Sequence, residues 1–248
     1  MKIVVLLKQV PDLVEDLEVD ASGKVLNTED IKFKLNEYDD HALEEAILLK
    51  ESGAVDEVVA MAVDGEEVDK MLFTAIAKGV DKAVKLTDGN PADSHQLGKA
   101  FANALGSEKY DLVFSGVQSV DDRDGQLGPI VASYLNAPCV SVVSGVSIFG
   151  GSAVVYKEYS GGMMGEFEVD LPAVMGIQAA KQPPRYAPVS KIRQVQQTVS
   201  IGEVSMGELG SGSGSSVASM ARPEKGAGAE MLDDVKDLMG VLKEKGVL

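Results

Sequence analysis

The sequence predicts an α/β fold: a mostly parallel sheet covered by helices, a β-rich extension, and a C-terminal arm ending in a helix. Three observations carry this reading. Short β-branched runs alternate with longer helical patterns through the first two-thirds of the chain, the signature of strands joined by crossover helices. From residue 140 short apolar runs mark an increasingly β-rich region. Near the end, a Gly/Ser-rich stretch separates the body from a segment with apolar residues at helical spacing.

The elements follow in order. Residues Lys2–Leu7 read as the first buried strand, ended by Pro11, and the polar stretch around Gly23 accommodates a small hairpin. Asn36-Glu37-Tyr38-Asp39 leads into a helix whose apolar side is Ala42, Leu43, Ala46, Ile47 and Leu49, and Ser52-Gly53 stops it. Glu57–Val63 is a second buried strand, and Asp64-Gly65 turns into a helix that runs to Lys78 and stops at Gly79. Residues 83–86 form a third strand, 87–91 a loop and 92–105 a helix. Residues 112–115 form a fourth strand, followed by a polar loop and a helix that begins near Gln126 and contains Ile130, Val131 and Leu135. Residues 140–143 and 146–149 read as strands, 164–169 alternates weakly, and Ala173–Ile177 is an apolar run behind Pro172.

The chain divides into a body, residues 1–206, and an arm, residues 207–248. Residues 210–216 have the composition of a flexible linker. Met231, Val235, Leu238, Met239 and Leu242 then share one helical face. So short a helix is marginal alone, and it docks either on its own domain or on a partner subunit.

Net charge is −16, from 39 acidic and 23 basic residues. That field repels nucleic acid and anionic membrane surfaces, and with no tryptophan and six each of Tyr and Phe there is little for base stacking. The expectation is no nucleic acid. No apolar run is long enough to span a bilayer, so no membrane insertion is expected, and residues 3–7 are too short for a signal-peptide core. Cys139 is the single cysteine, which excludes an intrachain disulfide and fits a reducing, cytoplasmic setting. His41 and His95 are the only histidines, so a zinc cluster lacks its parts, and no nucleophile elbow is present. Neither a catalytic residue nor a metal site is expected.

An α/β sheet of this kind places ligands in the loops beyond the carboxyl ends of its strands, here after Leu7, Val63 and Ser115. The most informative of these is Ser115-Gly116-Val117-Gln118-Ser119-Val120-Asp121-Asp122-Arg123-Asp124-Gly125-Gln126-Leu127-Gly128-Pro129. It leaves a strand, crosses a polar loop and enters a helix, whose free N–H groups suit a phosphate. Its aspartates repel an anion, so a phosphate belongs on backbone N–H groups near Gln126 and on Arg123, with the aspartates facing ribose hydroxyls or capping the helix. A capping loop without ligand and an Asp-Asp-x-Asp magnesium site are the competing readings. Pro183-Pro184-Arg185-Tyr186 forms a stiff exposed segment, because consecutive prolines restrict the backbone. Tyr186 and Val189 packing inward is the alternative there.

The 115–129 segment resembles the signature of electron-transfer flavoprotein beta subunits, in which a Gln, an acidic cluster, a second Gln and a Gly open a helix at this spacing. Three further matches fall in order. They are Lys8-Gln9-Val10-Pro11-Asp12 after the first strand, Leu35-Asn36-Glu37-Tyr38-Asp39 with Ala42-Leu43-Glu44, and Pro184-Arg185-Tyr186-Ala187 followed by Pro188-Val189. Glu37 stands where the family usually has proline. The likeness covers essentially the whole chain, and FixA-type proteins belong to the same family.

The resemblance implies a Rossmann-like body of the adenine-nucleotide-binding type and a buried AMP. Leu6, Asn36, Glu37, Tyr38, Asp39, Val63 and residues Gly116 through Leu127 match that pocket. A second FAD takes this place in flavin-bifurcating members. Asp122 replaces their glycine and favours AMP, whereas Gln126-Leu127-Gly128-Pro129 leans the other way. The resemblance further implies an electron carrier rather than an enzyme, heterodimeric with an alpha subunit that holds most of the working FAD. Residues 11–14 match a wall near its ring, with Leu13 where some members have tyrosine. Pro184, Arg185, Tyr186 and Val189 match a partner-recognition loop near 183–192, with Val189 as its apolar anchor. The implied donors are dehydrogenases such as acyl-CoA dehydrogenase, and the implied acceptor is a quinone-linked oxidoreductase or another acceptor. A stand-alone adenine-nucleotide-binding protein is the remaining alternative.

Overall fold

The computed structural model describes residues 1–106, 109–224, 226, 228–229 and 231–248. Residues Met1–Asp16 with Thr28–Ser216 form one compact unit, and Leu17–Asn27 with Val217–Leu248 form another.

The first unit opens with β1 (Lys2–Leu7) and the short antiparallel pair β2 (Gln9–Pro11) and β3 (Phe33–Leu35). Helices and strands then alternate: α1 (Glu37–Glu51), β4 (Glu57–Val63), α2 (Val68–Lys78), β5 (Lys82–Thr87), α3 (Ser94–Leu105), β6 (Leu112–Gly116) and α4 (Leu127–Leu135). An antiparallel run of β7 (Cys139–Phe149), β8 (Ser152–Tyr159) and β9 (Met163–Asp170) follows. Then come β10 (Ala173–Ile177), α5 (Val189–Thr198) and β11 (Gly202–Ser205). Among the described residues these build a nine-stranded sheet in the order β11-β5-β4-β1-β6-β10-β7-β8-β9.

β1 pairs in parallel with β4 on one side and β6 on the other. The chain therefore steps outward from β1 to β4 and β5, then crosses back to β6. The carboxyl ends of β1 and β6 flank this reversal, the switch point at which such sheets bind ligands.

Every residue from Ile3 to Leu7 is buried, because β1 has a helical layer on each face. Ile3, Val5 and Leu7 join Leu43, Ile47 and Leu72 in one core, while Val4 and Leu6 join Phe101, Leu105 and Val131 in the other. Two-sided burial explains why the parallel strands read as unbroken apolar runs rather than alternating ones.

The expected α/β architecture with its β-rich extension is present. Residues 140–149 form one bent strand rather than two, with a register shift between Val143 and Gly145 and Val142 at φ +64°. Helix α3 starts at Ser94 because Asp93 Oδ1 accepts the Gln96 N–H at 2.9 Å, a side-chain cap. β8, α5 and β11 add to the expected elements.

Residues 210–213, of linker composition, are tied to α3 by Gln96 Nε2 donating to Gly210 O at 3.1 Å and the Ser213 N–H donating to Asp93 at 2.6 Å. In the second unit Val19 and Leu26 make an antiparallel bridge around the Gly23 turn. Its helix α6 (Val235–Glu244) is capped by Asp234 and exposes Val235, Leu238 and Met239. Among the described residues no helix is long and apolar enough to cross a membrane.

Candidate functional site

The first turn of α1 sits between the ends of β1 and β6 and joins them. Asp39 is 3% exposed, and its two carboxylate oxygens accept the N–H groups of Lys8 and Gly116, each at 2.8 Å. Burial pushes this carboxyl up to about 7, against the pull of those two N–H groups. Asn36 adds a second bridge, its N–H donating to Lys8 O at 3.0 Å and its Nδ2 to Gln118 O at 2.9 Å. Gly116 permits this approach because it has no Cβ; an added one would stand 2.4 Å from Asp39 Oδ1.

Beyond Gly116 the polar loop closes on Lys8. The Lys8 ammonium donates to Ser119 Oγ at 2.9 Å, Asp121 Oδ1 at 3.0 Å and Asp122 Oδ2 at 2.6 Å. Burial works against the Lys8 charge, but the Asp122 and Asp121 carboxylates outweigh it and hold the ammonium above its ordinary value. Burial likewise raises Asp122, and Lys8 overcomes it, leaving that carboxyl below the usual range. Asp122 and Asp124 also accept the N–H groups of Asp124 and Gln126, at 3.2 and 3.0 Å. The aspartates are thus occupied with Lys8 and with the loop's own backbone. Arg123 and Gly125 turn the loop at φ +55° and +64°. Gln126, the N-cap of α4, makes no side-chain capping bond. Ser115 Oγ is buried without a hydrogen-bond partner behind this helix start, 3.0 Å from where a Cβ on Gly128 would lie.

In front of the loop lies a cleft of about 350 Å³ lined by Lys8, Gln9, Val63, Asp64, Gly65, Asp93, Ser94, Leu97, Asp121 and Asp122 among others. A far smaller cavity of about 10 Å³ lies among Lys8, Asn36, Asp39 and the loop from Gly116 to Leu127.

The structure therefore brings together Asn36, Asp39, Gly116, Val117, Gln118, Ser119, Asp122, Asp124, Gly125, Gln126 and Leu127 around the small cavity, and Val63, Asp121 and Asp122 around the cleft. Tyr38 is half-buried beside Gly116, Glu37 points to solvent, and Val120 and Arg123 lie on the outer loop. Leu6 is fully buried in the core facing α3, so its side chain lies beneath the cleft. Sequence reasoning passed over Lys8, Gln9, Gly65, Asp93 and Ser94 as site residues. Lys8 carried a usable signal as the first residue past a strand whose end was already suspected, and Asp93-Ser94 carried a capping signal.

A second region is the segment after β10. The Arg185 guanidinium donates to Glu44 from Nε at 3.0 Å and from Nη2 at 2.8 Å. It also reaches Glu51 at 2.5 and 2.9 Å, and the Arg185 N–H donates to Glu44 at 3.0 Å. Glu51 and Glu44 raise the guanidinium above its already high value. Pro184 is half-buried, whereas Tyr186 is 80% and Val189 55% exposed, so the inward-packing alternative does not hold. Val189 opens α5 immediately after Pro188.

Residues 11–14 form a third exposed feature. The Asp12 N–H donates to Lys32 O, its side chain pairs with Lys34 at 3.0 Å, and Leu13 and Val14 project into solvent. Among the described residues no group of three or more His, Cys, Asp or Glu side chains is arranged to hold a metal ion.

Comparison with known proteins meets this geometry from outside. The family model described as electron transfer flavoprotein domain matches residues 23–203. A protein named electron transfer flavoprotein subunit beta from Methylophilus methylotrophus is 39% identical over 239 residues, covering 91% of this chain and 90% of its own. Proteins of the same name from Syntrophomonas wolfei and Homo sapiens are 34% and 29% identical, over 75% and 99% of this chain and 73% and 98% of theirs. The chain belongs to the electron transfer flavoprotein family, as a beta subunit.

Proposed function

We propose that this chain is the smaller half of a heterodimeric electron carrier, and that its cleft at the β1/β6 switch point holds a structural AMP. The observation that carries the nucleotide is the Lys8-closed loop. It sets the uncapped start of α4, Gln126 and Leu127, on the small cavity that shares Lys8, Leu97 and Asp122 with the cleft, and free N–H groups there suit the phosphate end of a ligand. Asp121 and Asp122 offer acceptors for ribose hydroxyls, and Val63, Val68 and Leu97 supply apolar wall for a base. The cleft encloses about 350 Å³, within the range of small-ligand sites.

The working FAD is then held mainly by the alpha subunit, with Leu13 and Val14 on the face that approaches it, and the flavin supplies the redox chemistry. Residues 207–248 form an arm whose exposed α6 face docks on that subunit. Pro184, Arg185, Tyr186 and Val189 form the region that meets dehydrogenases such as acyl-CoA dehydrogenase, and the cytoplasmic carrier then passes electrons to a quinone-linked or other acceptor. Gln126-Leu127-Gly128-Pro129 supports a second reading, a bifurcating subunit with FAD in place of AMP.

Co-expression with an alpha subunit from the same source tests both readings. The expected product is a yellow heterodimer that releases one FAD and one AMP on denaturation. Two FAD would establish the second reading. A stable monomer that hydrolyses ATP and forms no heterodimer would overturn both.

A further inference from the structure

We propose that Glu44, Glu45 and Arg185 are positioning residues that fasten the segment after β10 to α1, and so present Tyr186 and Val189 to a redox partner in one fixed arrangement. The proposal rests on the reading of that segment as the docking region.

Residues 180–185 leave the sheet with no strand to pair with, so their backbone N–H groups need other acceptors. Helix α1 supplies them. His41 Nδ1 accepts the Ala180 N–H at 3.3 Å, Glu45 Oε2 the Lys181 N–H at 2.9 Å, and Glu44 Oε2 the Arg185 N–H at 3.0 Å. Between Lys181 and Arg185 stand Gln182 and two prolines that carry no N–H at all.

Glu44 and Glu45 are 3% and 1% exposed, a costly place for a carboxylate unless every oxygen is paired. Each is. Glu44 Oε1 accepts from Arg185 Nε and Nη2 and its Oε2 from Nε and the Arg185 backbone N–H, and Glu45 Oε1 accepts the Val146 N–H at 2.8 Å, which also ties the bend of β7 into the same fastening. Lys181 closes the ring by donating from Nζ to Val146 O at 2.6 Å.

The Arg185 charge is paired with Glu44 and Glu51, so at this position a partner meets a neutralised guanidinium beside the exposed Tyr186 ring and the Val189 side chain. A segment held this way loses little conformational freedom on docking. Lysine cannot replace the arginine, because a point charge cannot reach Glu44 and Glu51 together in two forked pairs.

The test uses the FAD-loaded heterodimer with an acyl-CoA dehydrogenase as electron donor, and follows exchange of the fastened backbone amides at positions 180, 181 and 185 together with steady-state reduction. Arg185→Lys and Glu44→Gln are expected to speed that exchange about tenfold and to raise KM for the dehydrogenase about fivefold. In Glu44→Gln the limiting kcat, the FAD content and the dithionite-reduced flavin spectrum should stay as in the parent. Tyr186→Ala should raise KM without changing exchange. Unaltered exchange in both fastening variants overturns the fastening. Faster exchange with unaltered KM, while Tyr186→Ala does raise KM, overturns its positioning role. An unaltered KM in Tyr186→Ala and Val189→Ala alike overturns the docking reading instead. Should Arg185→Lys fail to fold, Glu44→Gln carries the same measurements.

Discussion

The Asp39 carboxylate accepts the backbone N–H of Gly116 at 2.8 Å, tying the first turn of α1 to the end of β6. The contact is so close that position 116 has no room for a side chain. A Cβ there would lie 2.4 Å from Asp39 Oδ1 and 2.7 Å from Tyr38 Cβ. Tyr38 Cβ and the Asp39 backbone N, 2.8 Å from that Cβ, cannot swing aside, so Gly116→Ala must push α1 away from β6. The expected cost is about 1–3 kcal/mol, as for other overpacked sites. Urea denaturation should show the lowered midpoint, and the purified variant should retain less of the proposed AMP than the parent, since the loop leaves the sheet at this residue.

Asp39 also gives stability a pH dependence. Its folded value of about 7 lies above the ordinary carboxylate value of 3.8, because burial disfavours the charged form. Between those values the folded chain keeps a proton that the unfolded chain has released. Stability therefore falls as pH rises through the window and levels off above it, with a slope of up to about 1.4 kcal/mol per pH unit. Asp39→Asn removes this titration. Urea titrations of both proteins between about pH 4.5 and pH 8 should show the wild type losing ground to the variant as pH rises. A gap moving in the other direction would mean that the two N–H bonds outweigh burial.

Lys8 is the cation that lets two aspartates share the cleft. Its ammonium lies 2.9 Å from Asp121 and 2.6 Å from Asp122, with all three side chains a third exposed or less. Lys8→Met keeps the stem and removes the charge, leaving two unneutralised carboxylates facing any bound phosphate. Nucleotide retention should fall about tenfold or more at low ionic strength and recover partly in salt, because screening weakens repulsion between partly exposed charges. Gel filtration followed by nucleotide quantification at low and high salt measures this. A loss independent of salt would point to a packing role for Lys8 instead.

These relationships differ in how far the sequence announced them. Lys2–Leu7, Glu57–Val63 and Ala173–Ile177 are legible because burial on both faces leaves each strand an apolar run with turn residues at its ends. The loop after Ser115 is legible as strand, polar turn and helix start. The Lys8 closure is not, because it depends on β1 and β6 being neighbours, and Lys8 stands 111 residues from Ser119. Glu44 and Glu45 mislead more directly. Charged residues on a helix ordinarily mark its solvated face, yet both are buried here, because the backbone and the arginine that pair with them arrive from more than 100 residues away. Strand β8 alternates only over Ala153 and Val155 before turning polar, so its pairing comes from its neighbours rather than from its own pattern.

Glu45 gives that last point a number. It accepts the N–H groups of Val146 and Lys181 at 2.8 and 2.9 Å from a position 1% exposed. Glu45→Ala strands both donors in the interior and opens space where the carboxylate stood, at an expected cost of about 2–4 kcal/mol. Glu45→Gln retains one acceptor oxygen but turns an NH2 toward the other donor, so it should fall between the parent and the alanine variant. A surface glutamate would show neither loss, since substitutions away from buried networks usually stay within about 0.5 kcal/mol. Denaturant midpoints of the three proteins, taken with an unchanged slope, decide whether this glutamate holds β7 and the segment after β10 to the body or merely decorates α1.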